Sequence, residues 1–446
     1  MRKFWAFVMC LLSCLPLVAQ HTVSGTLQGE NERLVYLYSY TGLEKKPIDS
    51  TYTDSRGGFW LDCFLGTGMY VAETENVSVE FLYDSHKIQF VEHTPENIQF
   101  FGSPINDKWT AYITRRQRYR HNSEVLKQVL RQYDPESDFY ANAREEFVTL
   151  QYDFDAYCDS LTKTDDYASR LIAADRPIII DPSTTVEQQR NLVEMHFFDK
   201  VDFNDTTLIP TNVLTTKMID YVSVVQSDTR LSPDPQMRMI LALNNIFERA
   251  KANFTTYSFV LEYMLKGYSA LGLTMVTDYL LNYPCLSEGD ITQEQGLRLE
   301  AIAEPYQKVR VGVKAPQIKA VTIDGNEYDL YSSEKEYVIV FFWSTDCPYC
   351  HEFLTRIRKK LNLDDEFELL TFAVSDSEGE VESQIKSMKI KGLHFYDEER
   401  WDSPVFKDYH VFSTPTVFVL DKDRTIVCKP NDWSELNGWM RREKGE

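Results

Sequence analysis

The chain is 446 residues long, enough for about three domains of ordinary size. Apolar residues make up 43% of it, which supports packed cores and excludes global disorder. A net charge of −21 argues against nucleic acid or an anionic membrane surface as the main partner, and a solvated acidic surface accounts for it.

Residues 1–20 read as a signal peptide. Arg2-Lys3 is a short basic region, Phe4 to Leu12 an apolar stretch, and Ala19 a small residue before a cut near Gln20. The stretch is too short to span a bilayer, and no later uninterrupted apolar run reaches ~18 residues, so the processed chain is expected to be soluble and exported. Leu12-Ser13-Cys14 also loosely matches a lipoprotein processing site. On that reading a lipid on Cys14 is the only route to a membrane, although the apolar Leu15 to Val18 is not the usual polar tether. Removing residues 1–20 leaves Cys63, Cys158, Cys285, Cys347, Cys350 and Cys428 in an oxidising compartment. Only Cys347 and Cys350 have informative spacing; the other four are expected to be small buried residues.

From His21 to Phe101 the text is β-like. Thr22–Leu27, Leu34–Tyr38, Phe59–Cys63, Met69–Glu73 and Val77–Phe81 are short strands, with turns at Asp54–Gly58 and Asp84-Ser85. Their spacing predicts a small antiparallel sandwich or barrel over 21–101. Over 102–309 the period becomes helical. Ala143, Phe147, Leu150, Phe154, Tyr157 and Leu161 fall on one helix face, and Val125 to Tyr133 mark the helix before it. Asp134-Pro135-Glu136-Ser137 turns one into the other as an antiparallel hairpin. Further helices are expected over Val213–Val225, Gln236–Ala250, Thr256–Leu265 and Leu271–Asn282, with Gly267 and Pro284 as stops. Four arginines between Arg115 and Arg120 are expected on a solvated face, paired with acids such as Glu145 and Glu146. His196, among aromatics, is expected in a core.

Ala303 to Pro316 reads as a linker into a third domain, 310–446. There a hairpin (Lys319–Ile323, Glu327–Leu330) precedes strands Tyr337–Trp343, Phe367–Ser375, Leu393–Tyr396, Thr416–Leu420 and Thr425–Lys429. Helices are expected over Glu352–Leu361, Glu380–Lys389, Pro404–Tyr409 and Trp433–Arg442. Alternating strands and helices with a terminal hairpin predict a mixed sheet covered on both faces. The fold class is therefore multidomain α+β: a sandwich-like β domain, an all-α domain and a C-terminal α/β domain.

The third domain carries the chemistry. Strand Tyr337–Trp343 runs into Cys347-Pro348-Tyr349-Cys350-His351 and then a helix. Cysteines at i and i+3 sit one turn apart, close enough to bond. With Cys347 as N-cap, Pro348 takes the first helical position, where its missing N–H costs nothing. The Cys347 sulfur then faces unpaired backbone N–H groups and the positive end of the helix dipole, which favour thiolate over thiol. Cys350, one turn deeper, is placed to attack a mixed disulfide on Cys347. A structural zinc site needs two more ligands at short spacing, whereas Cys428, His394 and His410 are scattered singly; no metal or other cofactor is expected.

These residues, with Thr414-Pro415 opening the run Thr416–Leu420, resemble the thioredoxin superfamily. Within it the sequence is most similar to TlpA/ResA-like periplasmic thioredoxins, on Val311-Gly-Val-Lys-Ala-Pro316, Asp324-Gly325 and Phe342-Trp343 before the cysteines. The resemblance implies a thioredoxin fold, a periplasmic address and thiol–disulfide exchange through Cys347 and Cys350. It implies a cis Pro415, with the backbone of Thr414 free to pair with an extended substrate strand, and a structural Trp343 beneath the motif. The partners implied are proteins with cysteines or disulfides, plus a thiol donor or acceptor the sequence does not identify. The β segment resembles a domain of unknown function that precedes such thioredoxins, on Val23-Ser-Gly-Thr26, Asp49-Ser50, Gly57-Gly-Phe59 and Phe101–Asn106. Met195–Phe203 and Thr211–Leu214 resemble a second, helical family in the same position.

Three departures stand out. Phe341 occupies the position of the buried aspartate of thioredoxins; Glu352 lies two residues after Cys350 where relatives carry a glutamate at three; and Pro348-Tyr349 is the dipeptide of glutaredoxins. Two other readings compete. In one, the chain is an envelope interaction protein on a thioredoxin scaffold with a structural disulfide. In the other it is a thiol peroxidase, whose upstream proline is missing before Ser344-Thr345. His351 is either an exposed helix residue or a base assisting Cys350.

Overall fold

The computed structural model describes residues 22–95, 97–282, 292–361 and 366–443; the expected signal peptide with Cys14, and Pro284 and Cys285, lie outside these. The chain forms two compact units, Met1–Val224 and Val225–Glu446.

The first unit opens with eight strands: β1 (Thr22–Leu27), β2 (Leu34–Thr41), β3 (Glu44–Tyr52), β4 (Gly58–Asp62), β5 (Gly68–Glu73), β6 (Ser78–Tyr83), β7 (Ile88–Thr94) and β8 (Asn97–Phe100). They make two four-stranded sheets, ordered β4-β1-β7-β8 and β3-β2-β5-β6. Val23, Phe59 and Phe90 of one sheet share a core with Val35, Tyr70 and Phe81 of the other, a sandwich as predicted, except that β1 and β7 pair in parallel and not antiparallel. Gly25 is required there: a Cβ on it would lie 2.7 Å from the rings of both Phe59 and Phe90. Strand β3 has no apolar alternation to read, because it is an edge strand carrying Pro47 and facing solvent along its length.

The helices of this unit are α1 (Pro104–Gln132), α2 (Asp138–Leu161), α3 (Tyr167–Asp175), α4 (Val186–His196) and the start of α5 (Val213–Ser227). The turn between α1 and α2 falls as expected, with Ser137 capping α2 by accepting from the Tyr140 N–H. Arg115, Arg118 and Arg120 are exposed as expected, but Arg116 departs from expectation. Arg116 turns inward to the buried Asp175, which also accepts from the Tyr112 hydroxyl at 2.6 Å, and Arg120 meets Asp220. Asp175 and Asp220 are therefore the partners, and neither Glu145 nor Glu146 is. His196 is not a core residue: it is exposed at the end of α4, where its Nδ1 lies 2.8 Å from Asp199. The apolar side of that helix is carried by Val193.

The second unit contains α6 (Pro235–Ala250), α7 (Phe254–Ala270), α8 (Thr274–Asn282) and α9 (Gln293–Gln307). Gly267 does not stop α7. The helix continues to Ala270 and ends at Gly272, whose φ of +63° is the left-handed conformation a stop requires. The expected linker is helical up to Gln307, with Pro305 inside α9. Then follow β9 (Lys319–Val321), β10 (Glu327–Asp329), β11 (Tyr337–Ser344), α10 (Pro348–Lys360), β12 (Phe367–Val374), α11 (Glu378–Met388), β13 (Leu393–Tyr396), α12 (Pro404–Asp408), β14 (Thr416–Leu420), β15 (Ile426–Cys428) and α13 (Trp433–Glu443). The sheet order is β13-β12-β11-β14-β15; β13 and β11 run parallel to β12, while β14 is antiparallel to β11 and β15. This is the thioredoxin fold.

Strand β11 is the axis of that sheet. Val338, Val340 and Phe342 enter one core, while Ile339, Phe341 and Trp343 enter the other, beneath α10, α11 and α13. A strand covered on both faces reads as one continuous apolar run, which is how this one stands in the sequence. Arg424 is a buried guanidinium in the β14–β15 turn. It donates to the carbonyls of Leu330, Ser333, Lys335 and Asp421, tying that turn to the segment before β11.

Two predictions follow from this packing. Phe342 meets the rings of Phe372, Phe406, Tyr409 and Phe418 at 4.9–6.1 Å; Phe342→Ala is expected to destabilise this unit by ~3–5 kcal/mol in urea unfolding. His410 is wedged between the rings of Tyr306 and Phe412, and burial, with Lys429 and Lys266 nearby, holds it down at about 4. An unfolded imidazole takes its proton at about 6.5. Between those values the unfolded chain binds more protons, so stability is complete above about pH 6.5 and falls as pH drops toward 4. The loss in urea midpoint from pH 7.5 to 5 should be smaller in His410→Asn, a replacement that tolerates the positive φ at this position.

Candidate functional site

Cys347 is the N-cap of α10 and Pro348 its first residue. The cap works through sulfur: the backbone N–H of Cys350 donates to Cys347 Sγ at 3.2 Å. Cys347 and Cys350 are disulfide-bonded, with Cα atoms 5.3 Å apart. The two sulfurs differ in access. Cys347 is half-buried at the mouth, whereas Cys350 is fully buried in the core with Phe353, Leu354 and Trp343. The ordering arises from the helix itself, since one turn below the N-cap lies beneath the rim.

The remaining predicted residues gather around this pair. The Thr414–Pro415 peptide bond is cis, and the carbonyl oxygen of Thr414 lies 3.7 Å from Cys347 Sγ. Pro415 has no N–H to place there. β14 starts at Thr416 and pairs with the end of β11 at Phe342, which is what brings a loop distant in sequence to the cysteines. Trp343 is fully buried beneath the motif, as expected of a structural residue. Tyr349 projects outward, 78% exposed, and so belongs to the rim.

The acid–base surroundings are sparse. Phe341 is fully buried with its ring edge-on to Phe353 at 5.2 Å, and from residue 310 onward no described Asp or Glu is buried. His351 is half-buried, its ring 5.9 Å from that of Trp343 and its Nε2 shielded from solvent. It is thus not the exposed helix residue that one reading expected. Thr345 is buried and donates to Ser375 Oγ at 3.3 Å; Ser375 in turn donates to Glu380 at 2.7 Å. Residues 347–351 also spell Cys-x-x-Cys-His, the attachment sequence of c-type haem. Thioether attachment needs two free thiols, whereas here the two sulfurs are bonded to each other.

The other described cysteines are poor nucleophiles. Burial, with Asp49 and Asp62 nearby, raises Cys63 to about 11; burial raises Cys158 and Cys428 each to about 12. Cys158 is buried as expected, while Cys63 and Cys428 are only partly so. Among the described residues no group of three or more His, Cys, Asp or Glu is arranged to hold a metal ion, and no helix is long and apolar enough to cross a membrane. Sequence reasoning passed over Ser413, whose hydroxyl donates to the carbonyl of Ala270 in α7 at 3.1 Å, and Asn431, which donates to Gly272 at 3.2 Å. Neither stands in any spacing relation to the cysteines, so no sequence signal marks them.

Residues 311–429 match the AhpC/TSA family. The chain is 22% identical over 147 residues to the thiol-disulfide oxidoreductase ResA of Bacillus thuringiensis, covering 31% of this chain and 77% of that one, and equally so to ResA of Bacillus cereus. Among solved structures, it is similar to the thioredoxin domain of a thiol-disulfide oxidoreductase from Bacteroides vulgatus (20% identity, TM-score 0.27, 30% of this chain and 96% of that one). It is also similar to a thioredoxin-like protein from Bacteroides caccae (17% identity, TM-score 0.36, 60% of this chain and 97% of that one). The match to the AhpC/TSA family is thus confined to residues 311–429, within the part of the chain that has the thioredoxin fold.

Proposed function

We propose that this protein is an exported thiol–disulfide oxidoreductase acting on protein disulfides through Cys347 and Cys350. The observation that carries the reading is the sulfur-capped helix: an accessible Cys347 Sγ that accepts the Cys350 N–H, backed by a fully buried Cys350. An N–H donor and a helix dipole aimed at one sulfur stabilise its thiolate once the bond is reduced. The match to ResA, named a thiol-disulfide oxidoreductase, supports the same chemistry.

In the reducing direction the Cys347 thiolate attacks a substrate disulfide, forming a mixed disulfide and releasing one substrate thiolate. The Cys350 thiolate then attacks Cys347 Sγ, forming Cys347–Cys350 and releasing the second substrate thiolate. Two electrons pass to the substrate, and an external dithiol restores the site; the reverse sequence oxidises substrates. The carbonyl and N–H of Thr414 pair with the extended substrate strand. With no carboxylate buried nearby, the Cys350 proton goes to water at the mouth or to His351. Residues 21–101 serve as a folding and docking module, and residues 1–20 direct export to the periplasm, with lipid on Cys14 as the alternative anchor.

The same lack of a buried base favours, as a second reading, an interaction protein whose disulfide is structural. A peroxidatic reading is disfavoured because the upstream proline of that motif is missing before Ser344-Thr345.

Iodoacetamide at pH 7 on the reduced, native protein should label Cys347 at least about a hundredfold faster than Cys63, Cys158, Cys350 or Cys428, read by peptide mass spectrometry. An unreactive Cys347 would sink the catalytic reading. Cys347→Ser should abolish turnover of a protein disulfide, and Cys350→Ser should retain substrates covalently on Cys347. Equal turnover by wild type and Cys347→Ser would favour the structural disulfide instead.

A further inference from the structure

The helices before the thioredoxin fold reach its redox site within one compact unit. The turn between α7 and α8, Ala270-Leu271-Gly272-Leu273, is clipped on both sides. The Ser413 hydroxyl donates to the carbonyl of Ala270, and Asn431 Nδ2 donates to the carbonyl of Gly272. The fit at Gly272 is tight: a Cβ there would fall 1.6 Å from Asn431 Oδ1. Flanking contacts support the clip. Lys266 of α7 stands 5.8 Å from the Phe412 ring, and Tyr306 of α9 packs edge-on against His410 at 4.1 Å.

Ser413 is the residue before Thr414, whose carbonyl lies 3.7 Å from Cys347 Sγ. The α7–α8 turn is thus one residue removed from the backbone that a substrate strand would pair with. Between the turn and Pro415 only about 30 Å³ is open, room for a water and not for a peptide. A substrate chain therefore cannot pass between the turn and Pro415. On the turn itself Leu271 is 65% exposed; Phe412, two residues before Thr414, and Tyr349, between the two cysteines, are exposed as well.

We propose that the α7–α8 turn is one wall of the substrate passage, and that Leu271 on it selects extended protein segments with an apolar residue beside the reacting cysteine. This rests on the oxidoreductase reading. It gives the helices of the second unit a role in specificity. Removing the apolar surface of a single exposed leucine from water is worth about tenfold or more in kcat/KM.

The test uses the full exported chain and two disulfide-linked peptides that differ only in Leu or the uncharged Asn beside the cysteine. Dithiothreitol serves as the reductant, and its exchange with Cys347–Cys350 is measured separately. Wild type is expected to prefer the Leu peptide at least tenfold in kcat/KM. Leu271→Glu should lower that preference at least tenfold, mainly through KM and relative to its own exchange rate with dithiothreitol. Leu297→Glu, an exposed leucine on α9 at 60%, should change neither quantity. Equal use of both peptides by wild type, or an unchanged preference in Leu271→Glu, overturns the inference while leaving the oxidoreductase reading intact. Failure of dithiothreitol to cycle Cys347–Cys350 in wild type overturns that reading and this inference with it.

Discussion

The structure turns on one hydrogen bond, from the Cys350 N–H to Cys347 Sγ at the first turn of α10. A helix start leaves several backbone N–H groups without partners, and a sulfur placed there becomes their acceptor. Everything around it fixes that placement. β11 delivers the chain to the rim from a core packed on both faces, and Pro348 begins the helix at once. Accessibility then follows from geometry alone, with one sulfur at the mouth and the other a turn below.

The second constraint is the loop that ends at Thr414-Pro415. It reaches the cysteines because β14 pairs antiparallel with β11, so the beginning of one strand lies beside the end of the other. It is braced from outside the sheet by the α7–α8 turn, to whose carbonyls Ser413 and Asn431 donate. The floor of the site is filled by apolar packing, with Phe341 closing edge-on against Phe353. That packing supplies no proton acceptor.

Sequence alone determined the elements with strong local signals. The sandwich strands with alternating burial, the α1–α2 hairpin, β11 and the cysteine-capped helix were legible because period, capping and turn chemistry act within a few residues. The cysteine pair was legible for the same reason, its spacing being a helical spacing. Tertiary structure decided what depends on partners far along the chain. β3 is polar and is a strand only because β2 pairs with it. Arg116 goes inward because Asp175 awaits it, Gly267 stays helical because α7 is packed past it, and His196 stays outside because Val193 carries the buried face. The contact of the α7–α8 turn with Ser413 joins residues more than a hundred positions apart through a side chain and a backbone carbonyl. A carbonyl belongs to every residue type, so no pattern in the sequence announces such a bond; only the folded chain places its two ends together.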